Sequence, residues 1–282
     1  MTAYELYRTG RDILRNWGIQ SADFDAIEIF NFCCGMNRQS LIINKDLVVS
    51  QIEEDRFLDC INKRGSGMPL QYILGMWSFM GLNFKVGKGV LIPRDDTEVL
   101  VREAMSLINC KTNPRILDLC SGSGAIAISL AKSFPHSEVV AVEFSSKAYF
   151  YLCENVKLNK IENLRCVRAD VLCDYNNTDL GKFDLIVSNP PYIPSDDIEN
   201  LQPEVHFEPR IALDGGKDGL VFYECILKNW KTHLNHDGHV AVEIGIGQSN
   251  SVAGIFGKNG FCNIKIKKDI NEIDRVVLGK IN

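Results

Sequence analysis

No apolar run in the 282-residue sequence is long enough to cross a bilayer, and Met1-Thr2-Ala3-Tyr4-Glu5 lacks the charged and apolar regions of a secretory leader. A cytoplasmic protein is expected. No CxxC pair occurs among its ten cysteines, which are scattered from Cys33 to Cys262, so most of them read as small buried hydrophobes rather than a disulfide framework. An excess of positive charge is missing too: the formal net charge is −5, which excludes bulk attraction to nucleic acid or anionic membrane. His136, His206, His233, His236 and His239 show no metal-ligand spacing, and no metal is expected. Fixed-period repeats and low-complexity tracts are also missing, and Asn176-Asn177-Thr178 reads as a polar loop.

What is present divides into differently patterned parts. Helical spacing marks the first part, with Leu6, Ile13, Leu14 and Trp17, then Ala26, Ile27, Phe30 and Cys33, then Phe57, Leu58 and Ile61 as apolar faces. Gly65-Ser66-Gly67-Met68-Pro69 breaks that pattern, and Trp77 to Val86 partly alternates around Gly81, as a hairpin does. Trp77, Phe79 and Phe84 form its expected packed face. The expected organisation is a small helical domain over 1–72, a β-hairpin linker over 73–94 and a larger domain over 95–282. In the last, apolar runs at 115–117, 139–142, 185–187 and 240–242 alternate with helical segments, which predicts a doubly wound α/β sheet.

Three strand ends carry groups suited to a nucleoside-containing cofactor. After the first, Cys120-Ser121-Gly122-Ser123-Gly124 supplies glycines that let the backbone turn tightly and approach a ligand. Gly122, Gly124 and Ala127 satisfy G-x-G-x-x-[GA], which leaves nicotinamide and flavin cofactors open, as well as a plain strand-to-helix turn. Glu143 ends the second strand, where its carboxylate can accept from both hydroxyls of a ribose or simply cap the strand. Asp170 follows a third probable strand; it can accept from an adenine amino group while Val171 flanks the ring, or cap a helix.

The fourth strand end decides among cofactors. Asn189-Pro190-Pro191-Tyr192 follows the apolar run Phe183 to Val187. An Asn side-chain oxygen and the Pro190 carbonyl can each accept one N–H of a planar NH2 group, turning its lone pair toward an electrophile. The prolines remove competing N–H groups, and Tyr192 offers a flat surface. Hydride transfer has no use for such a turn, whereas methyl transfer to a planar nitrogen does, so the pattern points to S-adenosylmethionine. Asn189, Pro190 and Tyr192 are the expected catalytic set, and with Pro191 the substrate-binding set. The expected cofactor set is Cys120, Ser121, Gly122, Ser123, Gly124, Glu143, Asp170, Val171 and Asn189.

Together with Pro69-Leu70-Gln71-Tyr72-Ile73-Leu74-Gly75, Val90 to Arg94, Phe207 to Arg210, Ala212 to Gly216 and Asp274 to Val277, these segments make the chain resemble the release-factor glutamine methyltransferase family (HemK/PrmC). The chain departs from the family pattern at Cys120 and Ser121, at Glu143 in place of a frequent Asp, and at Asp95 in place of Pro. The resemblance implies a seven-stranded Rossmann-like class I methyltransferase domain behind the helical domain. It implies methylation of the glutamine side-chain amide in the Gly-Gly-Gln motif of class-1 peptide chain release factors, with the helical domain holding the release factor. A monomer that binds neither membrane nor nucleic acid is expected. The tetrapeptide is shared with nucleic-acid amine methyltransferases, and a ribosomal-protein glutamine is an alternative acceptor. A noncatalytic cofactor-binding protein would lack Asn189 or the glycine turn. Arg94 reads as a surface ion pair or as orienting the linker against the cofactor side, Glu208 and Arg210 as lining the substrate mouth or as an internal salt bridge fixing their loop, and His206 as a weak candidate for a base.

Overall fold

The computed structural model describes residues 1–176 and 179–281, so Asn177 and Thr178 of the polar loop lie outside the described residues. The chain forms two compact units, one of Met1–Met76 with Gln202–Phe207, the other of Trp77–Leu201 with the chain from Glu208 on. Ile73 to Met76 thus go with the helices, and so does a short segment more than a hundred residues downstream, which no local pattern announces.

In the first unit, helices Ala3–Asn16, Ala22–Cys34 and Gln51–Gly65 pack on one another. Two of them begin with reciprocal capping boxes, Thr2 with Glu5 and Ser50 with Glu53, which satisfy N–H groups the helix cannot. Leu6, Leu14, Ala26, Phe30, Phe57 and Ile61 are buried as the spacing predicts. Trp17 is not: it is 59% exposed, past the end of its helix, although its ring lies so close over Gly65 that a Cβ there would come within 2.9 Å. The spacing places Trp17 on the right face but cannot show that the helix has already ended. At the centre of the unit Arg64 Nε donates to Asp25 Oδ2 at 2.6 Å with both side chains buried. Its other arm reaches Glu204 Oε1 at 2.7 Å, in the downstream segment. This pair ties Gln202–Phe207 to the helices, together with Phe207 and Pro203, which lie beside Gly67.

The second unit opens with strands β1 (Met76–Phe79) and β2 (Leu82–Lys85), a hairpin whose Phe79 and Phe84 are buried edge to face at 6.1 Å. The main sheet follows as β3 (Arg115–Leu119), β4 (Glu138–Glu143), β5 (Leu164–Arg168), β6 (Phe183–Ser188), β7 (Leu234–Glu243), β8 (Phe261–Lys268) and β9 (Asp274–Ile281). Its order is β5-β4-β3-β6-β7-β9-β8, parallel from β3 to β7, with β9 antiparallel to both neighbours. The central strands are nearly continuous apolar runs because helices cover both faces. One core gathers Leu117, Val140, Ile186 and Trp230, the other Ile116, Val139, Leu185 and Ile128. Strand order reverses at β3, with β4 on one side and β6 on the other, and there the carboxyl ends of the strands open a crevice suited to ligands.

Candidate active site

The crevice is built from the turn after β3. Cys120, Gly122 and Gly124 all have positive φ, at 60°, 57° and 83°. A Cβ on Gly124 would come within 2.5 Å of Leu152, so this glycine answers to packing as well as to conformation. Cys120 adopts the left-handed region without being glycine, a local strain the sequence does not reveal. The Ser121 hydroxyl donates to the Asp118 carbonyl at 2.9 Å, and Asp118 Oδ2 accepts from the Ala127 N–H at 3.2 Å, tying the turn to the strand and to the following helix. Asp118 is wholly buried, its Oδ1 has no hydrogen-bond partner among the described residues, and burial pushes its carboxyl up to about 8. Burial and the neighbouring Glu143 carboxylate push the Cys120 thiol up as well, which removes it as a nucleophile.

Glu143 ends β4 and braces the turn. Its Oε2 accepts from the Gly122 N–H at 2.8 Å and its Oε1 from the Ser145 N–H at 2.7 Å, each oxygen keeping a further lone pair. Burial raises its carboxyl above the usual range and these N–H groups oppose the rise. Asp170 follows β5 and accepts from the Leu172 N–H at 2.8 Å through Oδ1, the local cap that residue type favours. Beside it Val171 is buried.

A cavity lined by Cys120, Glu143, Phe144, Asp170, Val171 and Asn189 brings these strand ends together. An adjoining one is lined by Thr97, Cys120, Ser121, Ser123 and Asn189, so Asn189 and Cys120 border both. Asn189 follows β6, where the Ser188 hydroxyl donates to the Leu119 carbonyl at 2.6 Å and locks β6 to β3. The Asn189 Nδ2 donates to Thr97 Oγ1 at 3.2 Å. Pro191 lines the first cavity, while Pro190 and Tyr192 line neither of the two. The Tyr192 ring packs instead against Gly245, where a Cβ would come within 3.0 Å of it, and burial raises its phenol. Its carbonyl accepts from Gln248 Nε2 at 2.9 Å, while Gln248 Oε1 takes the Gly245 N–H at 2.9 Å. Tyr192 therefore braces the turn from behind rather than offering a flat surface to either cavity.

Arg94 pairs with Glu208, whose other oxygen accepts from the Ile92 N–H at 3.1 Å. Glu208 and Arg210 do not pair with each other: Arg210 turns to Asp214 at 3.3 Å, because the buried Glu208 faces inward and Arg210 lies on the surface. His206 lies in the segment that belongs to the helical unit. Among the described residues no cluster of three or more His, Cys, Asp or Glu side chains could hold a metal ion.

The PrmC N-terminal domain family matches residues 5–75, and the methyltransferase small domain family matches residues 96–202. The release factor glutamine methyltransferase of Geobacter sulfurreducens is 41% identical over 274 residues, covering 96% of this chain and 94% of that one. The chain belongs to the release factor glutamine methyltransferase family. Its Clostridium botulinum relative of that name is 37% identical, with 98% of each chain covered. Among solved structures, a T. thermophilus 16S rRNA methyltransferase in complex with AdoMet and guanosine superposes with a TM-score of 0.53 at 18% identity, over 73% of this chain and 50% of that one, a likeness of fold.

Family membership makes the protein an S-adenosylmethionine-dependent protein-glutamine methyltransferase. The residues present fit that cofactor: Cys120 of the turn, the carboxylates Glu143 and Asp170 at adjacent strand ends and the apolar Phe144, Val171 and Leu172 line one crevice, while Gly122 and Gly124 shape the turn without lining either cavity. Thr97, Glu243 and Gln248 escape the sequence reading. Glu243 alone leaves a signal there, as an acid ending an apolar strand just as Glu143 does.

Proposed function

We propose that the enzyme transfers the methyl group of S-adenosylmethionine to the side-chain amide nitrogen (N5) of the glutamine in the Gly-Gly-Gln motif of class-1 peptide chain release factors. The observation that carries this reading is the place of Asn189, which borders both the cavity reaching Glu143 and Asp170 and the one beside Thr97. An amide nitrogen delocalises its lone pair and is a poor nucleophile. Asn189 Oδ1 and the Pro190 carbonyl accept its two N–H groups, which fixes the NH2 group so that its lone pair, perpendicular to the amide plane, faces the methyl group. Orientation of this kind lowers a barrier by as much as ~7–11 kcal/mol in ideal intramolecular cases, and part of that is what the turn contributes. Bound S-adenosylmethionine supplies a methyl group made electrophilic by its sulfonium. The amide nitrogen attacks the methyl carbon in line, the carbon–sulfur bond breaks to leave a neutral thioether, and the nitrogen sheds one proton to water.

In this reading Glu143 holds the ribose, Asp170 and Val171 the adenine, and Cys120 to Gly124 the backbone cradle between them. Pro190, Pro191 and Tyr192 keep the turn rigid and its carbonyls free. The helical region of residues 1–72 takes hold of the release factor, and the protein works as a cytoplasmic monomer. Among the described residues no helix is long and apolar enough to cross a membrane.

Incubation with methyl-labelled S-adenosylmethionine and a purified release factor should place label on the Gly-Gly-Gln glutamine. Label on ribosomal protein or nucleic acid alone would sink the proposal. Asn189→Ala should keep cofactor affinity while lowering turnover by about a hundredfold or more, a loss of roughly 2.7 kcal/mol in transition-state stabilisation.

A further inference from the structure

We propose that Glu243 and Thr97 are positioning residues that fix which end of the Asn189 amide faces the acceptor, an inference that rests on the role given to Asn189 above. An amide side chain is nearly symmetric in shape, but its oxygen only accepts and its nitrogen only donates. Turned the wrong way, Asn189 would oppose its own NH2 to the NH2 of the incoming glutamine, and the grip would fail. The turn therefore needs something behind Asn189 that tells the two ends apart.

The wall behind it is made of oxygen. Thr97 opens the helix Thr97–Ile108 and is buried, with its Oγ1 taking the Asn189 Nδ2 hydrogen at 3.2 Å. Glu243, the last residue of β7, is only 2% exposed. The Thr97 hydroxyl and the Asn189 amide both act on its carboxyl, and its Oε2 has no hydrogen-bond partner among the described residues. Register explains the meeting: β6 and β7 run parallel with Ser188 level with Val242, so the next residues, Asn189 and Glu243, leave neighbouring strands side by side. A hydroxyl that accepts and a carboxylate with a spare lone pair attract the NH2 end and repel the carbonyl end, leaving Oδ1 directed away from them.

Of the other charges near Glu243, Arg275 lowers its carboxyl and Asp96 raises it. Arg275 on β9 is engaged by Asp96 at 2.9 Å and Asp269 at 2.8 Å. Asp96 and Tyr192 add negative or neutral partners, and the Tyr223 hydroxyl donates at 2.9 Å to the Glu243 main-chain carbonyl, not to its carboxyl. A buried carboxyl held this way, with burial pushing it up to about 7, is expensive unless the site uses it.

The test is steady-state kinetics with a purified release factor, alongside calorimetric binding of S-adenosylmethionine. Glu243→Gln keeps the shape but lets a second NH2 face Asn189, and Thr97→Val keeps the shape but removes the hydroxyl. Each should lower kcat about tenfold to a hundredfold, while KM and cofactor Kd stay within about threefold, a split that loss of fold would not give. Thr97→Ser should restore kcat. Because both residues act through Asn189, the Glu243→Gln/Asn189→Ala double variant should be no slower than Asn189→Ala alone. Wild-type kcat in Glu243→Gln and Thr97→Val, or full additivity in the double variant, would overturn the inference while leaving the grip by Asn189 standing. Near-normal turnover in Asn189→Ala would instead refute the grip itself.

Discussion

Glu143→Gln isolates what the strand-end acid contributes to the cofactor crevice. The substitution conserves volume, yet it replaces a group that accepts on both ends by one that accepts on a single end. The two oxygens take the Gly122 N–H at 2.8 Å and the Ser145 N–H at 2.7 Å, so either orientation of the glutamine sets its NH2 against one backbone donor. A hydrogen bond to a charged acceptor contributes about 1.5–3 kcal/mol, and one is lost together with an acceptor for the ribose. S-adenosylmethionine should therefore bind about tenfold to a hundredfold more weakly by calorimetry. Glu143→Asp keeps both acceptors and should lose less. Acid should imitate the variant in the wild type, because burial raises the Glu143 carboxyl above its ordinary value and protonation removes the same acceptor. A cofactor Kd for Glu143→Gln within twofold of wild type would refute the reasoning.

Two further predictions concern stability. Arg64→Met strands the buried Asp25 carboxylate and should destabilise the helical unit by about 3–5 kcal/mol, read by urea unfolding of the full chain through the fluorescence of Trp17, which lies over Gly65. Adding Asp25→Leu should recover most of that loss, and a single-variant cost under about 1 kcal/mol would contradict the assignment. Asp118 is held protonated by burial up to about 8, so the stability it contributes is fully present below the ordinary carboxylate range and is lost as pH rises toward that value. Asp118→Asn should flatten the decline in unfolding free energy between about pH 5 and pH 8.5, by up to ~1.4 kcal/mol per pH unit; an unchanged slope would show that Asp118 is not its source.

The parts of the fold visible in the sequence are those whose cause is local. β3, β4, β6 and β7 announce themselves because strands buried on both faces are continuous apolar runs, and the glycine turn because its backbone needs residues without a β-carbon. The antiparallel pairing that places β9 between β7 and β8 carries no such mark, since Phe261–Lys268 reads only as a half-buried alternating segment. The same division runs through the crevice. Glu143, Asp170 and Asn189 were visible because each ends a strand, and parallel strand ends converge. Thr97 was not, for it reaches Asn189 from a helix ninety-two residues away. Tyr192 stands beside the prolines in sequence, yet its ring turns to Gly245 while its main-chain carbonyl accepts from Gln248, a matter of which way a tight turn throws successive side chains.

The helical unit is discontinuous, since Arg64 closes onto Glu204 and the segment Gln202–Phe207 packs with the first seventy-six residues. During synthesis, then, the helices of this unit are made before the main sheet begins, yet the unit is not complete until Phe207 has been made. Asp25 and Arg64 can meet early, but their third partner leaves the ribosome only after the glycine turn, Glu143, Asp170 and Asn189 have been made. A fragment cut at the end of the hairpin would carry every α-helix of this unit and still lack a piece of its own fold.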